Sequence, residues 1–433
     1  MAPGVTSVAA GQDRSVPGPV SDAPGGAETY EVELGGTRVT LAATRADPDG
    51  FRAVFERARA EVGHARCRCT AGRPRLVIRR HGGRYWLACW PGGGTDHDPG
   101  CRFFHDPTPP DSGRGGYTRA ALHELGGGQA RIRLEHALTA RSRGAEPDTT
   151  ASDGDGHSGG RTRMSLGGML QYLWERAELN SIGPPRWGRD WAACARALHA
   201  VVAQLAVNGQ DLAGSVYIVP PYQKTLAGVH KAVFRRFSNS LSGSRANVRR
   251  GLILGAIKDL SPSPHGYRIA LRHHPVPLYL TAALHDRLAR SARAAFSPTR
   301  PAGSERVLLA LIETSPGGYH TIVAAAAMLT SRDHVPADSS HEVAMSGALA
   351  AARRPFVKPL RYDSTEAVFP DFLLVDADPP TPVEVWGITG RADYEARKRD
   401  KQQHYAQAGG TAGPGLLEWD VRDPIPAIPA APL

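Results

Sequence analysis

Apolar and polar positions alternate with a period of two residues in several short runs of the chain, which predicts β-strands. The run from Thr29 to Ala43 (TYEVELGGTRVTLAA) alternates on both sides of Gly35-Gly36, the pattern of a tight β-hairpin. Between Asp47 and Val62, apolar residues recur every three or four positions, as in an amphipathic helix. The N-terminal part is therefore predicted to combine a hairpin with a helix.

Helical spacing of apolar positions covers residues 165–207, whereas residues 215–296 alternate strand-like runs with basic helical ones. Arg306 to Leu329 predicts two strands around Pro316-Gly317-Gly318, and residues 141–163 have the composition of a linker. We therefore predict an α+β protein with five segments: a disordered tail (1–28), a small N-terminal module (29–106), a linker region (107–164), a helical or mixed central region (165–305) and a C-terminal domain (306–425).

Basic residues exceed acidic ones, 52 Lys and Arg against 42 Asp and Glu, which gives a net charge of +10. This balance favours a polyanionic partner such as nucleic acid, although many proteins carry such a charge for solubility alone. The N-terminus does not read as a signal peptide, and the longest apolar run, Ile322 to Leu329, is too short to cross a bilayer. A cytoplasmic protein without membrane association is expected. The chain has no GxxxxGK[ST] phosphate loop, which disfavours an ATPase or helicase motor.

Four of the five cysteines lie within one 35-residue window, a clustering that indicates a metal site in a cytosolic chain. The favoured ligands suit a structural zinc in a zinc-ribbon-like module: Cys67, Cys69, His97 and Cys101. Cys89 is the alternative ligand, but the expected hairpin register places it opposite Arg75, about 20 Å along the strand from Cys69. Cys194, outside the window, is predicted to be a core cysteine.

Basic residues of the same module are interleaved with Tyr85 and Trp86. Such a surface could contact phosphates and stack on bases. The candidate nucleic-acid-binding residues are Arg79, Arg80 and Arg84. A solvated basic face without a partner is at least as compatible with this pattern.

Two carboxylates are predicted to face each other near the C-terminus. Val368 to Gly390 (VFPDFLLVDADPPTPVEVWGITG) reads as two strands around a turn, and the register of that turn places Asp371 opposite Glu384. Two carboxylates directly opposite each other repel, and this costs free energy unless a cation or a proton lies between them. Mg²⁺ is the natural cation for oxygen ligands. The preceding predicted helix offers Glu342 as a third oxygen ligand.

The order of these elements resembles the PD-(D/E)xK nuclease superfamily. Pro370-Asp371 matches its Pro-Asp, Glu384 matches its second acidic residue, and Glu342 matches the acidic residue that many members carry on the first helix. The resemblance covers about residues 335–425. It implies a restriction-endonuclease-like domain, a catalytic Mg²⁺ held by Asp371 and Glu384, and hydrolysis of DNA phosphodiester bonds.

The chain departs from this superfamily at Trp386, which occupies the position of the catalytic lysine two residues after the second acid. Three lysines are candidates to replace it: Lys398 and Lys401 on the following helix, and Lys358 on the preceding strand. Gln402 and Tyr405 lie beside the two helical lysines, an arrangement that resembles recombination-type nucleases of the same superfamily.

The whole chain also resembles a bacterial family associated with plasmids and integrative mobile elements. The favoured hypothesis is a nuclease that serves mobile-element transfer, maintenance or defence. One alternative is a zinc-containing nucleic-acid-binding protein with an inactive nuclease-like scaffold. Another is a protein-interaction subunit of a mobile-element apparatus, which would neither bind nor cleave nucleic acid.

Overall fold

The computed structural model describes residues 30–81, 84–90, 93–104, 121–125, 128–141, 162–184, 187–241, 247–315, 317–360, 370–377, 380–387, 392–409 and 415–431. The predicted tail and most of the predicted linker region lie outside these residues. The described part combines helices with several β-sheets, which confirms a mixed α+β fold. None of the described helices is long and apolar enough to span a membrane.

The N-terminal module is built from β1 (Glu31–Leu34), β2 (Thr37–Thr40), α1 (Leu41–Ala46), α2 (Arg52–Glu61), β3 (Ala65–Cys67), β4 (Arg75–His81) and β5 (Arg84–Cys89). Its strands form one sheet in the order β2-β1-β3-β4-β5. The predicted hairpin and helix are both present. Gly35 and Gly36 have φ angles of 54° and 83°, the left-handed conformation that a two-residue hairpin turn requires.

The predicted register of the second hairpin is wrong by one residue. His81 pairs with Arg84, so the connection between β4 and β5 holds two residues instead of being centred on one. Cys89 consequently pairs with Leu76 and not with Arg75. Both partners are buried in the core of the module, together with Phe55 of α2.

The next part contains β6 (Leu122–Glu124), β7 (Ala130–Ile132), β8 (Thr139–Arg141), α3 (Leu166–Arg176), β9 (Ser181–Ile182), α4 (Trp191–Val202), β10 (Leu205–Val207) and β11 (Gln210–Asp211). The two helices confirm the helical spacing of this region, but Leu205–Val207 is a strand that pairs with β7. Ser165 caps α3 by accepting the N–H of Gly168 at 3.1 Å, and α3 buries Tyr172 and Trp174 in the largest core cluster.

The largest sheet is formed from a region that includes β12 (Val216–Ile218), α5 (Ala227–Ser240), β13 (Asn247–Arg249), β14 (Gly251–Ser263), β15 (Gly266–Leu271), β16 (Leu278–Leu280), α6 (Ala282–Ser291), α7 (Arg293–Phe296), β17 (Glu305–Thr314), β18 (His320–Thr330) and β19 (Pro336–Ala337). The strands predicted on either side of Pro316 correspond to β17 and β18. Because β17 pairs with β14 and β18 pairs with β16, this sheet crosses the boundary predicted at residues 305/306.

Five strands of this sheet close on themselves. The first half of β14 pairs with β17 and its second half pairs with β15, and the register shift between Ile257 and Asp259 marks the bulge where β14 changes partner. The remaining pairings, β15 with β16, β16 with β18 and β18 with β17, complete the circle. The result is a barrel spanning residues 251–330, with Ile253, Ile269 and Leu308 in the cluster that fills it.

The C-terminal part contains α8 (Ser340–Ala351), β20 (Phe356–Val357), β21 (Phe372–Leu374), β22 (Thr381–Trp386), α9 (Ala392–Gly409) and β23 (Leu417–Asp420). The sheet order is β23-β22-β21-β20-β9, so the predicted C-terminal domain also uses a strand from the central region. Phe372 pairs with Val383 and Leu374 with Thr381, which confirms the predicted hairpin register.

Candidate functional sites

The predicted zinc ligands form one compact cluster, here called the Cys/His cluster: Cys67, Cys69, His97 and Cys101. Their ligand atoms all lie within 4.8 Å of one another. Cys67 ends β3, and a 3-10 turn at Gly94–Asp96 brings His97 back beside it. This arrangement confirms the predicted ligand set as a group that could hold a metal ion.

The distances in the Cys/His cluster fit a tetrahedral zinc. Cys67 Sγ lies 3.7 Å from Cys101 Sγ, and His97 Nδ1 lies 3.3 Å from Cys69 Sγ and 3.6 Å from Cys101 Sγ. Zinc–sulfur bonds of about 2.3 Å at tetrahedral angles place two sulfurs about 3.8 Å apart. The separations of these ligand atoms are therefore close to those around one zinc ion.

The protonation of the cluster also favours a cation. The contact with Cys101 raises the pKa of Cys67, and the same contact lowers the pKa of Cys101, because one thiol donates to the other thiolate. Cys67, His97 and Cys101 are all buried. A metal ion at the centre would replace the shared proton and neutralise several thiolates at once.

The other two cysteines lie outside the Cys/His cluster. Cys89 is buried, and its Sγ donates to the carbonyl of Trp90 at 3.4 Å. The alternative in which Cys89 replaces one of the four ligands is therefore not the arrangement found. Cys194 is fully buried on α4, as predicted for a core cysteine, and burial raises its pKa to about 12.

The three arginines predicted to bind nucleic acid contact the rest of the chain. Arg79 Nη1 lies 2.5 Å from the buried Glu175 carboxylate on α3. Arg80 Nε lies 3.8 Å from Glu178 Oε1. Arg84 Nη1 donates to a backbone carbonyl at the end of β21, 3.4 Å away. These arginines therefore hold the N-terminal module against the central and C-terminal parts.

Asp371 and Glu384 are brought together at the end of the C-terminal hairpin. Asp371 Oδ2 accepts the N–H of Val385 at 2.8 Å, which fixes this carboxylate beside β22. Glu384 is 1% exposed. Burial raises the pKa of Glu384 and the charge of Asp371 adds to this effect, while Lys401 opposes it. The predicted pairing of two carboxylates is therefore present.

Of the two helical lysines, Lys401 is the one that reaches Glu384. Its Nζ lies 2.9 and 3.0 Å from the two carboxylate oxygens, and the Tyr405 hydroxyl donates to Oε1 at 2.7 Å. Lys398 Nζ instead lies 3.5 Å from Asp420 Oδ2 on β23. Because Lys401 and Tyr405 are one helical turn apart on α9, both side chains can hold the same carboxylate.

Trp386 lies beneath the two lysines, on β22. Its indole Nε1 donates to Glu418 Oε1 at 2.9 Å, an oxygen that also accepts from Gln402 at 2.7 Å. The ammonium groups of Lys398 and Lys401 lie 5.2 and 6.0 Å from the centre of the Trp386 ring. The indole therefore supports the lysine-bearing face of α9 through cation–π contacts.

Lys358, the third lysine candidate, lies at the centre of a second charged group. Its Nζ is 2.6 Å from Glu342 Oε2, 3.2 Å from Asp338 Oδ2 and 3.9 Å from Asp371 Oδ1. Burial lowers the pKa of Lys358, but the three carboxylates raise it by more, so its net shift is upward. For the carboxyl group of Glu342, burial raises the pKa, while the positive charge of Lys358 lowers it; the effect of burial is the larger one.

Glu342 does not join Asp371 and Glu384 as a third ligand of one ion. Within the residues that the structure describes, the Cys/His cluster is the only group of three or more potential ligands close enough to share a metal. Lys358 instead lies between Glu342 and Asp371. A cavity of about 30 Å³ adjoins this group and is lined by Gln171 of α3, Lys358 and Asp371 among others.

Comparison with known proteins gives one family match, and it includes both sites. The family described as Protein of unknown function (DUF1173) matches residues 38–413, which contain the Cys/His cluster and the charged groups around Lys358 and Lys401. No curated protein and no solved structure gives a significant match. Since the match spans most of the sequence, the chain belongs to the DUF1173 family.

Proposed function

We propose that the protein is a metal-dependent nuclease whose reaction site lies between Asp371, Glu384 and Lys401, and that it serves mobile-element transfer, maintenance or defence. The observation that carries this proposal is the contact of Lys401 with Glu384. Lys401, on α9, would take the part of the lysine that the nuclease superfamily carries at the β22 position occupied here by Trp386. DNA is the proposed substrate, in keeping with the basic charge of the chain.

The donors at this site suit Mg²⁺, which prefers carboxylate oxygens. Asp371 and Glu384 would hold the ion, and a bound Mg²⁺ lowers the pKa of a water ligand and neutralises negative charge on a phosphate. Asp371 uses one carboxylate oxygen for the N–H of Val385, which leaves Oδ1 directed toward Lys358 at 3.9 Å. The second acid offers Oε2, which now accepts from Lys401 at 3.0 Å.

Lys401 and Lys358 have different roles in this proposal because their side chains differ in how far they are exposed and therefore in how easily they can move. The Lys401 side chain is 24% exposed and can move from Glu384 toward an attacking water or a phosphate oxygen. The Lys358 side chain is 4% exposed and remains between Glu342 and Asp371. Lys358 is therefore a positioning residue that orients Asp371, while Tyr405 keeps Glu384 in place.

Nicking of supercoiled plasmid DNA with Mg²⁺ or Mn²⁺ tests the proposal. Lys401→Ala should reduce the nicking rate by at least about a hundredfold, since general acid–base groups typically contribute 10²- to 10⁴-fold. Asp371→Asn should also strongly reduce it, because the variant loses one of the two carboxylates proposed to hold the ion. Lys398→Ala should retain most activity, because its ammonium contacts Asp420 and not Glu384. Arg399→Ala, an exposed cation on the same helix, is the matched control. Equal nicking by wild type and Asp371→Asn would overturn the proposal.

One observation favours the alternative of a non-catalytic nucleic-acid-binding protein. Each carboxylate of the proposed site already has an ammonium or hydroxyl group near it, so neither acid depends on a metal for a partner. This alternative predicts salt-sensitive DNA binding and no cleavage with any divalent ion. The same plasmid assay, combined with a binding measurement at two salt concentrations, separates the two functions.

A further inference from the structure

The barrel of residues 251–330 has a specific connectivity. Its strands follow the circular order β14-β15-β16-β18-β17, and β17 returns to β14. All neighbouring pairs are antiparallel except β16 and β18, which are parallel. Along the chain, helix α6 lies between β16 and β17, the third and fourth strands in sequence. Its Leu284 and Leu288 pack in the core cluster of the barrel. A five-stranded Greek-key barrel with this order is an OB-fold, whose second and third strands form a ligand-binding face in many proteins.

The two outer sides of the barrel differ in what covers them. On β14 and β17, outward residues such as Leu254 and Leu309 are buried in the cluster that also contains α3 and α4. On β15 and β16, Arg268 pairs with Tyr279, and both alternate with the buried Ile269, Leu278 and Leu280. The β15–β16 side therefore presents Arg268 and Tyr279 outward, and both side chains are half-buried there.

Two tyrosines and an arginine meet on this side, here called the open face and defined by Arg268, Tyr279 and Tyr319. Tyr319, in the connection between β17 and β18, is 62% exposed, and its ring lies 5.8 Å from that of Tyr279 in an edge-to-face arrangement. Arg268 forms no ion pair with any carboxylate in the described part of the chain. Aromatic rings that reach the surface beside an unpaired cation are the groups that stack on bases and bind phosphates.

The chain segment that contains α5 is strongly basic. Residues 212–258 contain eight Lys and Arg and no Asp or Glu. Helix α5 carries Lys231, Arg235 and Arg236 from this stretch, and all three are exposed and have no carboxylate partner within the described residues. Several arginines of the N-terminal module, in contrast, are paired with acids, among them Arg68, Arg73 and Arg79.

The basic helix lies at the end of the barrel that carries Tyr319. Phe234 is the buried residue of α5, and its ring lies 5.2 Å from that of His320, the residue directly after Tyr319. Asp259, on β14, also points to this outer side, and its pairing with Ala270 puts it toward the same end of the barrel as Tyr319 but two strands away from Tyr279. We expect a bound polyanion to follow Tyr279 and Tyr319 toward α5, where the cations lie, and not to cross β15 toward Asp259.

We propose that the open face binds single-stranded nucleic acid, with bases stacked on Tyr279 and Tyr319 and phosphates held by Arg268 and the cations of α5. Single strands expose the faces of their bases, whereas a duplex hides them in its stack, so aromatic stacking selects the single strand. This inference does not rest on the proposed nuclease site. It assigns binding to a part of the chain that carries none of the nuclease residues.

Fluorescence anisotropy with a labelled oligothymidylate of about 15 nucleotides, near the upper site size for one such barrel, tests the proposal. The assay uses the full chain without divalent ions, so cleavage does not contribute. The double variant Tyr279→Ala/Tyr319→Ala should bind at least about fivefold more weakly, which is the smallest loss expected when stacking on one base is removed. Tyr279→Phe/Tyr319→Phe should bind within about twofold of wild type, because the rings remain.

Two further variants separate stacking from charge. Arg287→Ala removes an exposed cation of α6 and should leave the affinity unchanged. Lys231→Ala/Arg235→Ala should lower the slope of log affinity against log salt by about 0.7 for each phosphate that the variant no longer neutralises. Thermal unfolding of every variant checks that the fold is retained.

The proposal is overturned if the alanine variant binds as tightly as wild type, or if wild type prefers a duplex of equal length. Asp371→Asn keeps the open face and should bind the single strand normally. Loss of nicking in that variant and loss of binding in the tyrosine variant therefore report on different sites, and either proposal can fail alone.

Discussion

Replacement of Cys101 by serine is expected to abolish zinc binding and to unfold the N-terminal module. Wild-type protein should contain one zinc per chain by mass spectrometry of the metal, and Cys101→Ser should contain almost none. A structural zinc contributes about 10–16 kcal/mol to the folding of a small site. The sheet β2-β1-β3-β4-β5 has a small core, so it should become sensitive to protease between residues 30 and 104 when the ion is lost.

Cys89→Ala provides the matched control for this experiment. Cys89 is buried in the same core as Cys101 but lies outside the Cys/His cluster. The variant should keep its zinc and lose only the packing of one small side chain. Full zinc content in Cys101→Ser, or loss of zinc in Cys89→Ala, would contradict the assignment of ligands.

Lys358→Met is expected to destabilise the protein by about 3–5 kcal/mol at pH 7, the cost of leaving a buried charge without its partner. The substitution removes the ammonium 2.6 Å from Glu342 and leaves that carboxylate buried, with Asp338 and Asp371 nearby. Urea denaturation measures the change in the free energy of unfolding. Lys398→Met, on the more exposed helix α9, should cost less than about 1 kcal/mol.

The destabilisation by Lys358→Met should depend on pH. Burial already raises the pKa of Glu342 above its ordinary value, and loss of Lys358 removes the effect that opposes this rise. A carboxyl group with a raised pKa in the folded state stabilises the fold at low pH, and that stability is lost as the pH rises through the folded pKa. The difference from wild type should therefore stay nearly constant between pH 5 and 7 and grow as the pH rises above about 7, the pKa of Glu342 in the wild-type fold. Glu342→Gln/Lys358→Met should recover part of the loss above that pH, and a deficit that does not change as the pH rises through 7 would argue against a charged Glu342.

The parts of the site that depend on short-range structure could be predicted from the sequence. The Cys/His ligands lie at the ends of one hairpin, so their spacing already limits where they can meet. The turn between β21 and β22 is short, so counting residues across it yields the pairing of Phe372 with Val383 and hence the position of Asp371. The predicted register of β4 and β5 is wrong by one residue because the same counting needs the length of the turn, which glycine repeats leave ambiguous.

The parts that depend on long-range pairing could not be predicted. Helical spacing offers both Lys398 and Lys401, and only the placement of α9 over β22 and β23 directs one to Glu384 and the other to Asp420. The role of Lys358 depends on where β20 lies in its sheet, which the sequence around Phe356 does not specify. The barrel escapes prediction because the parallel pairing of β16 with β18 joins segments about 40 residues apart, beyond the reach of local patterns.

The pairing of β9 with β20 limits both folding during synthesis and the division of the chain into separate fragments. Ser181 pairs with Val357, 176 positions later, so the C-terminal sheet cannot be completed until nearly the whole chain has left the ribosome. Pairings this far apart in sequence slow folding. A fragment cut at residue 305 would lack β9 and leave the edge of β20 unpaired, ready to join a strand of another copy. The central and C-terminal parts of this protein are therefore joined through β9, a strand of two residues. The charged groups of the C-terminal part are expected to form only in the intact chain.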